Sequence, residues 1–504
     1  MNKILVVLLI VQTALAANSN EFRSKKLARE GTIRKSNVEY IKTNNLRLSM
    51  QEGGVREFFE SEFSTRVDHF RPLNQQRVNF TYNANTHHFE NYGPLYIYLK
   101  DAFDYSTDMI EEGLMVDIAR ETGAALFTFD PRYFGRNRPF DSASYENLEL
   151  LSVEQAIADT AEFIRVIRRE IPTAEFSRVI LWGSGVGGTL AVFARSRYAH
   201  LIHAAWSSSG IFESGVYSYG PYDVLEFTFD IDDGGECRET IRAAYEEIVG
   251  LVLSGQGAEL ADRLNLCNPV ETDNPSDVAA LYENSIRAVM YYIEDFHHQG
   301  ALDFCEDMQA VEGEPLESLA RWFRYVYGDE ECFDPSYASS VERYSNPAWD
   351  EWGTITGRRQ WYFLQCTQIG SFLLADNYTW LPGTVDFEYH LQKCEDVFGV
   401  EFTYETIADA FYTLRDEFSL RIPNALYTNG NIDPLRYFGR VSDPTNEGIV
   451  INIDFASKSA DLTSIDADEP ESFTRAKERI IEVVTGWSSE VPPSEPPVTP
   501  TPQP

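Results

Sequence analysis

The sequence predicts an α/β fold: a mostly parallel sheet covered by helices on both faces, split by a long helical insertion. Three observations predict it. Short apolar runs alternate with helix-periodic stretches between residues 93 and 206, the pattern of parallel strands joined by crossover helices. Near 215 the texture changes: strand-like runs become rare, helical patterns dominate, and all six cysteines fall between 237 and 394. Strand-like runs return at 424–428 and 448–453, followed by one more helical pattern, so the sheet is completed after the insertion.

The elements follow in order. Met1-Asn2-Lys3, the apolar run Ile4 to Ile10 and Ala14-Leu15-Ala16 have the charged, apolar and small-x-small regions of a secretory signal peptide, assigned to 1–16. Residues 17–60 form a basic arm, with Arg23, Lys25, Lys26, Arg29, Arg34, Lys35, Lys42 and Arg47 on an otherwise acidic chain. The first part of the core, 61–214, holds a buried strand at 93–99, a helix from Met109 to Glu121 and a second strand at 124–129. The next helix, Ser152 to Arg169, has a capping serine with Gln155 three residues on. A strand at 179–181, a helix at 189–198 and a strand at 202–206 complete this part. The insertion, 215–405, carries helical patterns at 237–253, 276–294, 315–326 and 386–397. The second part of the core, 406–487, ends in a helix from Ser472 to Trp487, and 488–504 is a proline-rich, extended, disordered tail.

Composition narrows the function. A chain of 504 residues with 43% hydrophobic content buries a large core. A net charge of −37 excludes nucleic acid as a partner, because phosphate binding needs clustered Lys and Arg. After the leader no stretch reaches the roughly 18 unbroken apolar residues of a membrane span. An even set of cysteines without CxxC spacing, Cys237, Cys267, Cys305, Cys332, Cys366 and Cys394, predicts three disulfides in an oxidising compartment and leaves their pairing open. Asn79-Phe80-Thr81 and Asn377-Tyr378-Thr379 are glycosylation sequons. No metal or cofactor pattern is present.

The chemistry centres on Trp182-Gly183-Ser184-Gly185-Val186-Gly187-Gly188, a glycine-rich turn between a strand and a helix. This is where an α/β-hydrolase carries its nucleophile, in the pattern G-x-S-x-G. The position flanked by Gly183 and Gly187 is Gly185. Ser184 is a poor alternative, since its flanks at two residues, Trp182 and Val186, are bulky. The turn also lacks the lysine of a phosphate-binding loop.

Further motifs resemble the lysosomal Pro-X carboxypeptidase family, which includes dipeptidyl peptidase II and thymus-specific serine protease. They are Val67-Asp68-His69-Phe70, Gly93-Pro94, Pro131-Arg132-Tyr133-Phe134-Gly135 with Pro139-Phe140, and Asn147-Leu148 before Leu151 to Ala156 and Asp159. Downstream come Trp206-Ser207-Ser208-Ser209 and Asn429-Gly430-Asn431-Ile432-Asp433-Pro434. They run in the family's order from about 60 to 487. The resemblance implies an α/β-hydrolase core with a helical cap of the SKS type. It also implies secretion, with the lysosome as the alternative, and a homodimer.

It places a serine–histidine–acid triad on Gly185, Lys458 and Asp433, so that only the acid survives. The histidine loop, roughly G-T-x-H-C-A-D-M in relatives, here reads Phe455-Ala456-Ser457-Lys458-Ser459-Ala460-Asp461-Leu462. A G-x-E-G loop is replaced by Lys100-Asp101-Ala102-Phe103. The residue after the nucleophile is Val186, whose N–H is the remaining oxyanion donor. Three departures at one site predict a secreted, inactive homologue that binds a peptide, a protein or an active paralogue. The alternatives are an active carboxypeptidase or dipeptidyl peptidase with a displaced nucleophile (Ser184 or a serine of 207–209), and a structural or storage glycoprotein.

Overall fold

The computed structural model describes residues 58–489, apart from 105, 213–215, 232–233, 311–313, 328–331, 376–380, 382–383, 419–421 and 444–446. The leader at 1–16, the arm up to 57, the sequon at Asn377 and the tail from 490 lie outside the described residues.

The described chain has ten strands: β1 (Phe58–Arg66), β2 (Arg77–Asn85), β3 (Leu95–Leu99), β4 (Ala125–Phe129), β5 (Val179–Ser184), β6 (Ala204–Ser208), β7 (Tyr217–Ser218), β8 (Phe372–Leu373), β9 (Ala425–Gly430) and β10 (Ile449–Ile453). Eight of them form one sheet in the order β1-β2-β4-β3-β5-β6-β9-β10. From β4 to β10 all neighbours are parallel; β1 and β2 add an antiparallel edge. The α/β class with a mostly parallel sheet is therefore what the molecule has. Every residue of β3, β4, β5 and β6 is buried, because helices cover both faces.

One face packs on the helices α2 (Val153–Glu170) and α3 (Val186–Arg197), through Ile157, Phe163, Ile164, Leu190 and Phe193. The other packs on α1 (Leu114–Thr122) and the last helix, Glu471–Ser489, where Trp182 and Trp206 stack at 6.1 Å. Ser152 caps α2 by accepting from the Gln155 amide, so the helix starts where its side chain satisfies a free N–H. Most segments between β6 and β9 are helical, including α4 (Pro275–Gln309), α5 (Phe387–Phe398) and α6 (Tyr404–Phe418). This layer has its own apolar core, including Tyr245, Ile286, Phe304 and Trp322.

Three disulfides close it: Cys237–Cys305, Cys267–Cys332 and Cys366–Cys394. The first two join segments more than 60 residues apart, a pairing that spacing alone left open.

Several expected boundaries move. β1 starts at Phe58, so the arm's limit at 60 falls inside a strand. α6 runs across the limit expected at 405. The final helix continues to Ser489, past the expected tail start at 488. The expected helix 109–121 breaks into a short 3₁₀ turn at Asp108–Ile110 and α1. Gly113, at φ +100°, redirects the chain between them.

Candidate functional site

Five parallel strands bring the site together at their carboxyl ends, where open α/β sheets bind ligands. Asp101 follows β3, Gly185 follows β5, Ser209 follows β6, Asp433 follows β9 and Lys458 lies in the loop after β10. These strands are adjacent in the sheet, so residues distant in sequence converge.

Gly185 is the centre of the turn. Its backbone has φ +52° and ψ −121°, a conformation that costs a side-chain-bearing residue about 1–3 kcal/mol. Its N–H donates to the Ser208 carbonyl at 2.9 Å, and its carbonyl accepts from Thr189 at 3.1 Å, opening α3. The flanking glycines permit close contact: a Cβ on Gly187 would stand 1.9 Å from the Leu99 carbonyl oxygen, and one on Gly183 2.5 Å from Gly187.

A carboxylate occupies the space over the turn. A Cβ on Gly185 would meet the Asp101 carboxylate oxygens at 2.7 and 2.8 Å. Asp101 Oδ1 accepts from the Val186 amide at 3.1 Å and from the Ala102 amide at 2.8 Å. Its Oδ2 pairs with Lys458 Nζ at 2.7 Å. Glu294 of α4 reaches within 3.9 Å of the same ammonium. The three side chains are 10%, 20% and 11% exposed. Burial alone would lower the Lys458 pKa, but Asp101, Glu294 and Asp433 outweigh it and raise it. The ion pair with Asp101 thus favours the ammonium form of Lys458. The Val186 N–H is already engaged by an anion.

The loop that carries Lys458 is fixed on both sides. The Ser457 hydroxyl donates to the carbonyls of Ile293 and Glu294 in α4. The Ile432 amide bonds the Ala456 carbonyl at 3.1 Å. Asp433 is fully buried. Its Oδ1 accepts from Leu435 N at 2.9 Å and caps the short helix Pro434–Phe438. Its Oδ2 has no hydrogen-bond partner among the described residues, although the Ser209 hydroxyl acts on the same carboxylate. Burial pushes its pKa up to about 6, against the lowering effects of Ser209, the Leu435 amide and Lys458.

Of the remaining serines, Ser184, Ser208 and Ser209 are hydrogen-bonded. Ser184 is 5% exposed and shares a hydrogen bond with Ser459. Ser208 donates to Asp461 at 2.6 Å. Ser209, at φ +53°, accepts from the Ser459 amide, and Ser207 is buried without a hydrogen-bond partner among the described residues. Phe103 turns outward, 5.3 Å beneath the Arg358 guanidinium and edge-on to Trp361.

The structure therefore brings Gly183, Gly185, Val186, Gly187, Asp433 and Lys458 into one region, with Phe103 on its outer side. Asn79 is apart from it, exposed on β2. Sequence reasoning missed that Asp101 is the partner of Lys458 and that Glu294 joins them. The available signal was an acid and a base newly standing in two altered loops of one site. Among the described residues, no group of His, Cys, Asp and Glu could hold a metal ion, and no helix is long and apolar enough to cross a membrane.

The parallel sheet with a strand–glycine turn–helix at its carboxyl edge defines an α/β-hydrolase-type protein. Residues 65–480 match the serine carboxypeptidase S28 family, and the chain belongs to that family. It is 25% identical to the lysosomal Pro-X carboxypeptidase of Mus musculus, over 85% of this chain and 88% of that protein. It is 22% identical to the thymus-specific serine protease of Mus musculus, over 79% and 81%. Among solved structures it is similar to a thermostable carboxyl esterase from Bacillus coagulans, with a TM-score of 0.36 and 10% identity over 86% of this chain and 99% of that one.

Proposed function

We propose that this chain is a catalytically inactive member of the S28 family that travels the secretory route and acts by binding a peptide or protein. The reading rests on one observation, the Asp101–Lys458 pair over Gly185. On this reading Gly185 stands at the nucleophile position, Lys458 at the base position and Asp433 at the acid position. Chemistry there would need a nucleophile, a proton acceptor and free oxyanion donors. The turn offers a hydrogen atom, an ammonium and an N–H already bonded to a carboxylate. Loss of a triad's serine or histidine costs on the order of a millionfold in turnover, and here both are replaced.

Three disulfides and the relationship to lysosomal enzymes support a secreted or lysosomal destination, with cleavage after Ala16 and glycans on Asn79 and Asn377. The test is hydrolysis of proline-containing peptides by the purified full chain at pH 5 and pH 7, followed by mass spectrometry. The reading expects product at the buffer rate; turnover that scales with protein concentration and survives repurification would overturn it.

A further inference from the structure

The helical layer carries an exposed aromatic face that the site does not use. Tyr217 and Tyr219 of the β7 segment, Tyr404 and Tyr412 of α6, and Phe387 of α5 form it. The four tyrosines are between 37% and 40% exposed. The rings are contiguous: Tyr217 lies 6.3 Å from Tyr219, 5.5 Å from Phe387 and 6.3 Å from Tyr404, and Phe387 lies 5.7 Å from Tyr404. Tyr404 and Tyr412 share a hydrogen bond. Large aromatic patches of this kind mark interaction surfaces, since Tyr combines apolar area with a polar tip and little entropy to lose.

The surroundings select the partner. Asp386, Glu388, Glu405 and Asp409 flank the rings in sequence on α5 and α6 and are exposed. On the flank of α5, a groove of about 400 Å³ is walled by Glu388, Glu395 and Glu401 among others. From 386 to 414 the sole Lys or Arg is Lys393, which is buried and paired with Glu283. The face is thus tyrosine edged by carboxylate, with no exposed cation of its own along that stretch. A guanidinium suits both components, stacking on an aromatic ring while its fork bonds a carboxylate; an ammonium does the first less well and cannot do the second bidentately.

We propose that this aromatic face is a docking surface for an arginine-bearing segment of a partner protein. The chain's own tail is a poor occupant by charge, since 490–504 contains Glu490 and Glu495 and no Lys or Arg. The surface does not depend on whether the elbow is active, so the two readings fail separately.

The experiment titrates the purified full chain with labelled nona-arginine and nona-lysine at about 0.15 M salt, where diffuse attraction is screened beyond about 8 Å. Nona-arginine is expected to bind about tenfold more tightly than nona-lysine. Tyr217→Ala and Tyr404→Ala should each weaken nona-arginine by about three- to tenfold and leave nona-lysine unchanged. Tyr404→Phe, which keeps the ring, should retain most of the affinity and shows that loss is not misfolding. Glu112→Gln/Glu121→Gln, which removes two exposed carboxylates near the ends of α1, should change nothing beyond about twofold. Equal affinities for the two peptides, or equal losses in the α1 control, would assign the binding to the net charge of −37 and overturn the proposal. So would tighter binding by a chain that lacks 17–57, with its Arg23, Arg29, Arg34 and Arg47, or one ending at Ser489, which would make the chain's own arm or tail the occupant. Sedimentation showing a dimer that Tyr404→Ala dissociates would make it a second copy.

Discussion

Two buried lysine–carboxylate pairs show what different parts of this fold are for. Glu283–Lys393 ties α4 to α5 inside the helical layer at 2.8 Å, with both side chains 5% exposed. Arg287 and the Tyr389 hydroxyl complete the carboxylate's bonding. Burial would raise the Glu283 pKa, but Lys393, Arg287 and His390 outweigh it and hold it well below the usual range. Asp101–Lys458 joins two loops at the carboxyl edge of the sheet, is more exposed, and bonds a backbone N–H beside a strained glycine turn. The first pair is satisfied on every side and fastens helices. The second lies over the Gly185 turn and bonds the first free N–H of α3. Ion-pair geometry alone does not report a role; the backbone beneath it does.

Lys393→Met takes the buried ammonium from Glu283 and leaves the carboxylate to the partly exposed Arg287; it should cost about 3 kcal/mol, read as a lower thermal midpoint. An equally large loss from Lys458→Met would contradict the distinction, since Lys458 is partly exposed and its two acids can reach water.

The two regions should next differ in their response to pH, each by on the order of 3 kcal/mol at most. Burial lowers the His390 pKa to about 4 from an ordinary 6.5. The unfolded chain therefore binds more protons between those values, and stability from this group is present above pH 6.5 and lost as pH falls toward 4. Burial raises the Asp433 pKa to about 6 from 3.8. There the folded chain binds the extra proton, and stability falls as pH rises through 6. Unfolding curves from pH 4 to 7 should show a shallower acid-side loss in His390→Asn and a gain toward neutral pH in Asp433→Asn. The same slope change in both variants would refute the assignment.

Gly185→Ser should cost about 1–3 kcal/mol, because the turn is left-handed and the new Cβ meets Asp101. It should yield no peptidase activity. Asp101→Ala should cost least, about 1–2 kcal/mol, because Lys458 retains Glu294 and solvent. Chemical denaturation of both variants against the native chain checks these values, and a stabilised Gly185→Ser would show that the turn is relaxed in solution.

Much of this was legible in the sequence, for local reasons. Strands buried on both faces, such as Leu95–Leu99 and Ala125–Phe129, read as unbroken apolar runs. The half-buried edge strand Phe58–Arg66 alternates with Glu, Ser and Arg and gave no such signal. The helix expected at 276–294 continues to Gln309 although Glu294, Asp295, His297, His298 and Gly300 interrupt its apolar period; contacts with neighbouring helices carry it on. The glycine turn was readable because its spacing lies within a few residues. The Asp101–Lys458–Glu294 cluster was not, because strand order β3-β5-β6-β9-β10 and the docking of Ser457 on α4 bring it together, and neither is a local property.

On the proposed reading, the turn at Gly185 keeps the shape of a nucleophile-bearing elbow while Asp101 and Lys458 hold the place of its chemistry. The decisive measurement is a fluorophosphonate probe on the purified chain at pH 5 and pH 7, with no covalent adduct expected by intact mass at either pH. An adduct that disappears in Ser184→Ala or Ser209→Ala, with the fold intact, would contradict that reading and identify a displaced nucleophile.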